Sequence, residues 1–348
     1  MWILPRGAAL ASSETRAPDL LVLVNGAPVA GVIDAEVSSN AHLAADRYRL
    51  SAALTESGYA VWDQATLQIE VRMALDGAWA SMILGPADRL EVDAGRGVVS
   101  VEGRDMTAAF IAARTQETFE NQTSSQIATT LAGRHGLQAA VTPTSGLVGR
   151  NFQNDHARTT LDQHAGVTTE WDLLIRLAEL ESFNVWVSGQ TLNFAPPGPV
   201  TAPLVLTPAD CLEMRLERDL TLSGGVTVSV KSWDCRGQQS VVQTASSAAI
   251  GGSPLSYMVL QPNLTGNAAS QLAQRMMTQM AQQARTVCID MPGDLTTFPR
   301  GGLTLADTGT DFDGAYFITD VERRISFERG YTQTIQARLP PWTDFSTS

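Results

Sequence analysis

Residues 66–75, TLQIEVRMAL, carry Leu67, Ile69, Val71 and Met73 at every second position, with Gln68, Glu70 and Arg72 between them. A period of two puts the apolar side chains on one face of a half-buried strand and the polar ones on the other. The same grain runs through DLLVLVNGAPV with its turn at Asn25-Gly26, and through YRLSAAL, ASMILG and DRLEVDAGRGVVSVEGRD. Each run is bounded by Gly, Asp or Pro. Short strands at this spacing predict a small barrel or sandwich for residues 19–110. A chain of 348 residues is too long for one ordinary core, so two or three domains are expected.

The period then changes. At VEGRDMTAAF, Gly103 bends the chain out of a strand, Asp105 caps a short helix carrying Met106, Ala109 and Phe110, and Arg104 is left to pair with a carboxylate. Thr123 and Gln126 stand in capping-box spacing before a helix that presents Ile127 and Leu131 on one face. Arg134 and His135 occupy its last turn, and Gly136-Leu137 fits a glycine cap. A second helix starts at Thr168 or Thr169, with Glu170 and Asp172 in its first turn and Trp171, Leu174, Ile175 and Ala178 as its apolar stripe. FNVWVSGQTLNFAPP follows as a hairpin turning at Gly189-Gln190, so residues 111–199 read as an α/β module set into a β protein.

Strand patterning resumes at Leu204, in LEMRLERDLTLSGGVTVSVKSWD. QQSVVQTASSAAIGGSP is low in bulk and reads as loop-rich. A third helix spaces Leu272, Met276 and Met280 four apart, and core packing accounts for its methionines. The C-terminal stretch from Gly301 alternates again, with Phe317, Thr319, Val321, Arg323 and Ile325 on one strand, so its faces are imperfectly sorted by polarity.

Composition narrows the function classes. The net charge is −12, and Lys231 is the single lysine among 24 basic residues. Affinity for nucleic acid comes largely from neutralising phosphates, so an acidic chain without an Arg/Lys cluster is a poor general phosphate binder. No run approaches the roughly 18 apolar residues of a membrane span. MWILPRGAALASS lacks a positive charge ahead of its short apolar part, and no signal peptide is expected there. Cys211, Cys235 and Cys288 are scattered without a CxxC, which favours packed thiols over a disulfide framework.

Three segments hold chemistry-bearing residues. Asp307-Thr308-Gly309 matches the aspartic protease tripeptide, but that chemistry needs two such aspartates and the chain has one copy. Asp307, Asp311 and Asp313 precede Gly314 with spacing that misses a calcium loop, and an Asp/Gly-rich hairpin turn explains them as well. Asp155, His156, Asp162 and His164 offer metal-ligand types without a HExxH or CxxC, and a solvated polar loop is the simpler reading. No GxSxG, phosphate loop or strand-to-helix GxGxxG occurs. The residues therefore nominate no catalytic, cofactor or metal site, and no cofactor. The rival readings are a metal- or aspartate-dependent hydrolase and a carbohydrate-binding β module.

Three stretches in order carry a likeness: VSVEGRDMTAAF; TFENQTSSQIATTLAGRHGL followed by TTEWDLLIRLAELESFNVWVSGQTLNFAPP; and PRGGLTLADTGTDFDGAYFITDVERRISFERGYTQTIQARLP. Together they span most of residues 98–338, and they resemble the phage late control protein D family. These are baseplate hub proteins of contractile tails, related to the hub portion of VgrG. The resemblance implies an α+β, mainly β, fold with two tail-tube-like β-barrels. Residues 1–110 with 200–245 would form the first, 111–199 an inserted α/β module, and 246–348 the second, with one helix. It further implies no enzyme but a homotrimer, joining a six-fold tail tube protein to a separate three-fold spike protein. Baseplate wedge and tape-measure proteins would be neighbours and DNA would pass transiently through the channel, without stable membrane insertion. The implied location is the virion tail baseplate, assembled in the bacterial host cytoplasm.

Overall fold

The computed structural model describes residues 18–54, 59–115, 117, 119–148, 168–198, 203–234, 237–249, 252–326, 328 and 330–341. Its N-terminal part holds β1 (Pro18–Val24), β2 (Ala27–Val29), β3 (Val32–Asn40), β4 (Arg47–Ala53), the one-turn α1 (Tyr59–Trp62), β5 (Gln68–Leu75), β6 (Ala78–Asp93) and β7 (Val98–Arg104). The alternation is realised as written: Ile69, Val71 and Met73 are buried, with Leu67 at the edge of the same cluster. Asn25 and Gly26 both take positive φ in the turn between β1 and β2, the backbone region that selects Asn-Gly.

The middle part holds α2 (Thr107–Ala112), β8 (Arg114–Thr115), β9 (Gln122–Thr123), α3 (Ser124–Arg134), β10 (Gln138–Val141), β11 (Leu147–Val148), β12 (Thr168–Thr169), α4 (Glu170–Glu181), β13 (Asn184–Ser188) and β14 (Thr191–Ala195). Helices α3 and α4 start on reciprocal capping boxes. The Gln126 amide donates to the Thr123 hydroxyl at 3.3 Å while the Thr123 amide donates to the Gln126 side chain at 2.9 Å. The Asp172 amide donates to the Thr169 hydroxyl at 3.0 Å, and Asp172 accepts in return from the Thr169 amide. Such caps contribute about 1 kcal/mol each. The helices pack Ile127, Leu131, Trp171 and Leu174 over the β10–β14–β13 sheet, in which β10 runs parallel to β14.

The remaining strands are β15 (Leu204–Leu206), β16 (Glu213–Arg218), β17 (Val226–Asp234), β18 (Gln239–Ser246), β19 (Leu255–Leu260), β20 (Arg285–Pro292), β21 (Gly302–Leu305), β22 (Gly314–Ser326) and β23 (Gly330–Arg338), with α5 (Gly266–Ala281) between β19 and β20. The segment expected to be loop-rich contains β18. Its bulk is low because its outer face answers β17 with hydroxyls at two registers, Thr227–Ser246 and Ser229–Thr244, each 3.0 Å apart. The other face turns inward, where Val241 is buried.

One 13-stranded sheet runs β16-β20-β23-β22-β3-β4-β7-β6-β5-β1-β2, with β21 joining β22 and β15 joining β21. Antiparallel pairing of β3 with β22, Asp34–Asn40 against Ser326–Asp320, makes the seam between N-terminal and C-terminal strands. Separate apolar clusters lie on either side, one built on Leu50, Ile69 and Val101, the other on Ile289, Leu303 and Ile335. The architecture is α+β, mainly β, as expected. The pairing of residues 204–218 differs from the expected grouping with residues 1–110. β15 runs parallel to β21 and β16 antiparallel to β20, both with C-terminal strands, because their inward Leu206 and Leu216 belong to the C-terminal cluster. Strands β17, β18 and β19 form a further small sheet, in the order β18-β17-β19, packed under α5 through Val226, Val228, Ala269 and Ala273. Met276 and Met280 fill that cluster, the packing role expected of them.

Candidate functional site

The Gly103-Arg104-Asp105 turn is where the N-terminal strands hand over to the middle part. β6 bends at Gly85-Pro86, pairing with β5 before the bend and with β7 after it. A Cβ on Gly85 would lie 2.0 Å from the Arg104 carbonyl oxygen, and one on Gly103 would lie 2.3 Å from both the Pro86 oxygen and the Tyr48 hydroxyl. Two glycines thus let the β6 and β7 backbones meet, with the Tyr48 hydroxyl against the second glycine. Arg104 makes a two-pronged bond to Asp88 at 2.6 and 2.7 Å. Asp105 takes the Thr107 amide and hydroxyl, each at 3.1 Å, so it caps α2 as the sequence suggests, one residue ahead of the helical Met106.

Asp105 is buried, and a cavity of about 960 Å³ opens beside it, lined by Ile83, Asp46, Asp105, Trp186, Phe298 and Arg300. These residues come from all three stretches of the chain. Arg300 ties them together. It sits at φ +71 in the left-handed region, a strained position for a side chain with a Cβ. Its Nη1 donates to the Asn40 carbonyl at 2.9 Å and its guanidinium lies 4.8 Å over the Trp186 ring. Burial lowers its basicity, opposed by the charges of Asp46 and Asp105.

Next to it Arg323 is completely buried, donates Nη2 to the Thr297 carbonyl and lies 4.7 Å over Phe298. The Thr297 loop is pinned by Asp294. Burial alone would raise that carboxyl, but bonds from the Thr297 hydroxyl and amide, from Gln333 and from the Thr296 amide hold it below the ordinary value.

The two cavity carboxyls shift the other way from Asp294, both upward. Burial pushes Asp46 up to about 6, against a bond from Asn40 and the charge of Arg300. Burial and the charge of Asp46 push Asp105 up to about 7. The folded chain therefore binds these protons more tightly than the unfolded chain does. Their stabilisation is complete below the unfolded value of 3.8 and is lost as pH rises through about 6 and 7. Melting temperature is expected to fall between about pH 4 and 7, and Asp105→Asn to flatten much of that slope. An unchanged slope in the variant would remove this pair as its cause.

The residues singled out in the sequence are placed as follows. Asp307, Asp311 and Asp313 lie in the turn between β21 and β22. Asp313 accepts from the Thr308 amide at 3.0 Å and hydroxyl at 2.5 Å. Asp311 is taken by Arg285 at 2.6 Å and Arg218 at 3.2 Å. Its carboxylate is engaged by cations of the protein itself. Among the described residues no group of three or more His, Cys, Asp or Glu is disposed to hold a metal. Asp155, His156, Asp162 and His164 lie outside the described residues, as does Cys235. Cys211 and Cys288 are free thiols, both raised by burial. Sequence reasoning missed Asp46, Trp186 and Arg300, and missed a second cluster: buried Glu170 accepts from Arg134 at 2.7 Å and meets the His135 ring at 2.5 Å. The signal for Arg300 was its place before Gly301-Gly302, where a loop returns to a strand.

The fold is that of phage tail proteins and related secretion-system hubs. The crystal structure of the prophage MuSo2 43 kDa tail protein from Shewanella oneidensis matches 94% of this chain and 100% of its own, at TM-score 0.69 and 15% identity. A tail protein from Neisseria meningitidis MC58 matches 92% and 96%, at TM-score 0.68 and 15% identity. The E. coli c3393 protein, a type VI secretion component with structural similarity to the T4 tail proteins gp27 and gp5, matches 93% and 77%, at TM-score 0.58 and 12% identity. No curated protein sequence matches the chain. The model of the family described as the Alg8 N-terminal domain matches residues 83–327, and the chain belongs to that family.

Proposed function

We propose that this protein is a structural baseplate hub of a phage or phage-like tail, of the late control protein D kind that its motifs resemble. The carrying observation is the β3–β22 seam, which fixes two β cores side by side in one chain. Three such chains around an axis would present six β units toward a six-fold tube and a three-fold face toward a separate spike. The likeness in fold to tail proteins over more than nine-tenths of the chain supports this reading. The cavity at the junction then serves assembly: Arg300, Asn40 and Trp186 hold the middle part against both β cores. The role involves no turnover. Its partners are two further copies, the tube protein, the spike protein, and wedge and tape-measure proteins, with DNA passing through the channel. Among the described residues no helix is long and apolar enough to cross a membrane. The location we infer is the virion tail, after assembly in the host cytoplasm.

The three copies together carry three times −12, that is −36. Carboxylates lining a channel would repel DNA and keep it from sticking during passage. The direct test is mass. Native mass spectrometry is expected to give three times 37.2 kDa. A monomer at all concentrations, unmoved by added tube and spike proteins, would refute the reading.

A further inference from the structure

We propose that the outer face of the β18–β17–β19 sheet is a contact surface for a second copy of this chain, an inference that rests on the trimer reading above. The inner face is covered by α5. On the outer face the strand registers bring together Lys231 with Val242 and Leu260, and Ser229 with Met258, while Trp233 extends the row along β17. These apolar side chains are far from covered: Trp233 is 53% exposed, Val242 56%, Met258 71% and Leu260 73%. An exposed apolar face of this kind, flanking Lys231 and ending on an aromatic side chain, has the make-up of a protein interface.

Charge selects the occupant. The chain has 36 acidic residues, yet the in-register positions of this face are otherwise serine and threonine and include no carboxylate. Its single charge is Lys231, the chain's only lysine. Two copies at −12 each repel through most of their surfaces. Here a copy can approach with its acidic side turned to Lys231, gaining apolar contact without like-charge repulsion. Face-to-face pairing about a two-fold axis would bring the two Lys231 side chains toward each other. The favoured contact is therefore with a different surface of the neighbour, the head-to-tail arrangement that closes a cyclic ring. The face is smaller than the roughly 20–30 residues per side of a standard interface, so it serves as the apolar centre of a larger contact.

A lone lysine makes the test simple. Amine acetylation of the full-length chain, read by mass spectrometry at Lys231, is expected to be several-fold slower in the assembled protein than after dilution to monomer. In parallel, Lys231→Glu and Met258→Glu are each expected to weaken association at least tenfold by native mass spectrometry and light scattering. Lys231→Arg should assemble as the parent does. Both glutamate variants carry outward side chains and should keep the parent's circular dichroism and melting temperature. The labelling experiment needs no variant and stands if either fails to fold. Equal labelling rates in trimer and monomer, or unchanged trimers in both glutamate variants, would overturn this face while leaving the hub reading intact. A parent chain that stays monomeric at every concentration would overturn both.

Discussion

Gly85→Ala is expected to cost about 3 kcal/mol or more of stability, the upper end for overpacking, because the added atom meets backbone rather than a side chain. Its Cβ would lie 2.0 Å from the Arg104 oxygen and 2.7 Å from the Asp105 backbone. Neither can move without opening the β6–β7 ladder or pulling Asp105 off α2. Gly103→Ala should behave alike, since the Pro86 carbonyl blocks it. Gly133→Ala supplies the contrast. It stands in α3 with nothing within 4 Å of its Cβ, so the same chemical change should stabilise by about 0.5–1 kcal/mol. Denaturant melts of the three variants would show opposite signs. Equal, small effects at Gly85 and Gly133 would mean that the β6 bend is softer than described.

The second large effect is expected at Glu170. Its carboxylate is almost fully buried and joins Arg134 and His135 at the end of α3 to the start of α4. The His135 ring in turn packs edge-on to Phe110, with centroids 4.5 Å apart. Glu170→Ala strips Arg134 and His135 of a shared buried acceptor, and losing hydrogen bonds to a charged group of this kind costs about 1.5–3 kcal/mol. Arg134 keeps its exposed bond to Glu117, which softens the loss on that side. Glu170→Gln retains the shape and an acceptor oxygen, and should fall between Ala and parent. Tryptophan fluorescence reports the change, since Trp171 adjoins the mutated position and lies near Phe110. Loss of less than about 1 kcal/mol in the alanine variant would class the cluster with ordinary surface pairs.

Much of this fold was legible because its signals are local. The capping boxes at Thr123 and Thr169, the Asn25-Gly26 turn and the two-residue alternation of 67–73 each depend on neighbours a few positions away. What stayed hidden depends on partners far along the chain. Glu170 and His135 are 35 residues apart, and Arg300 reaches Asn40 across 260. Nothing in FPRGG states which carbonyl its arginine will meet. The strand partners of 204–218 stayed hidden for the same reason, since a strand's sequence fixes its inward face but not its neighbour. β18 was missed because serine and threonine weaken the apolar signal of a strand whose outer face is paired by hydroxyls. Arg323 shows the limit of reading faces by polarity: the period of two rightly put it with Val321 and Ile325, and it is fully buried there.

The β3–β22 seam also sets an order of events during synthesis. β3 leaves the ribosome early and finds β4 within a dozen residues, but its other edge waits for residues 320–326. For most of translation that edge offers unpaired amides and carbonyls, the kind of surface on which strands of other chains add. Long-range pairing of this sort is slow to form. The seam that unites the finished protein is thus the place where the unfinished one is most exposed to misassociation, and the nascent chain needs β22 before it is safe.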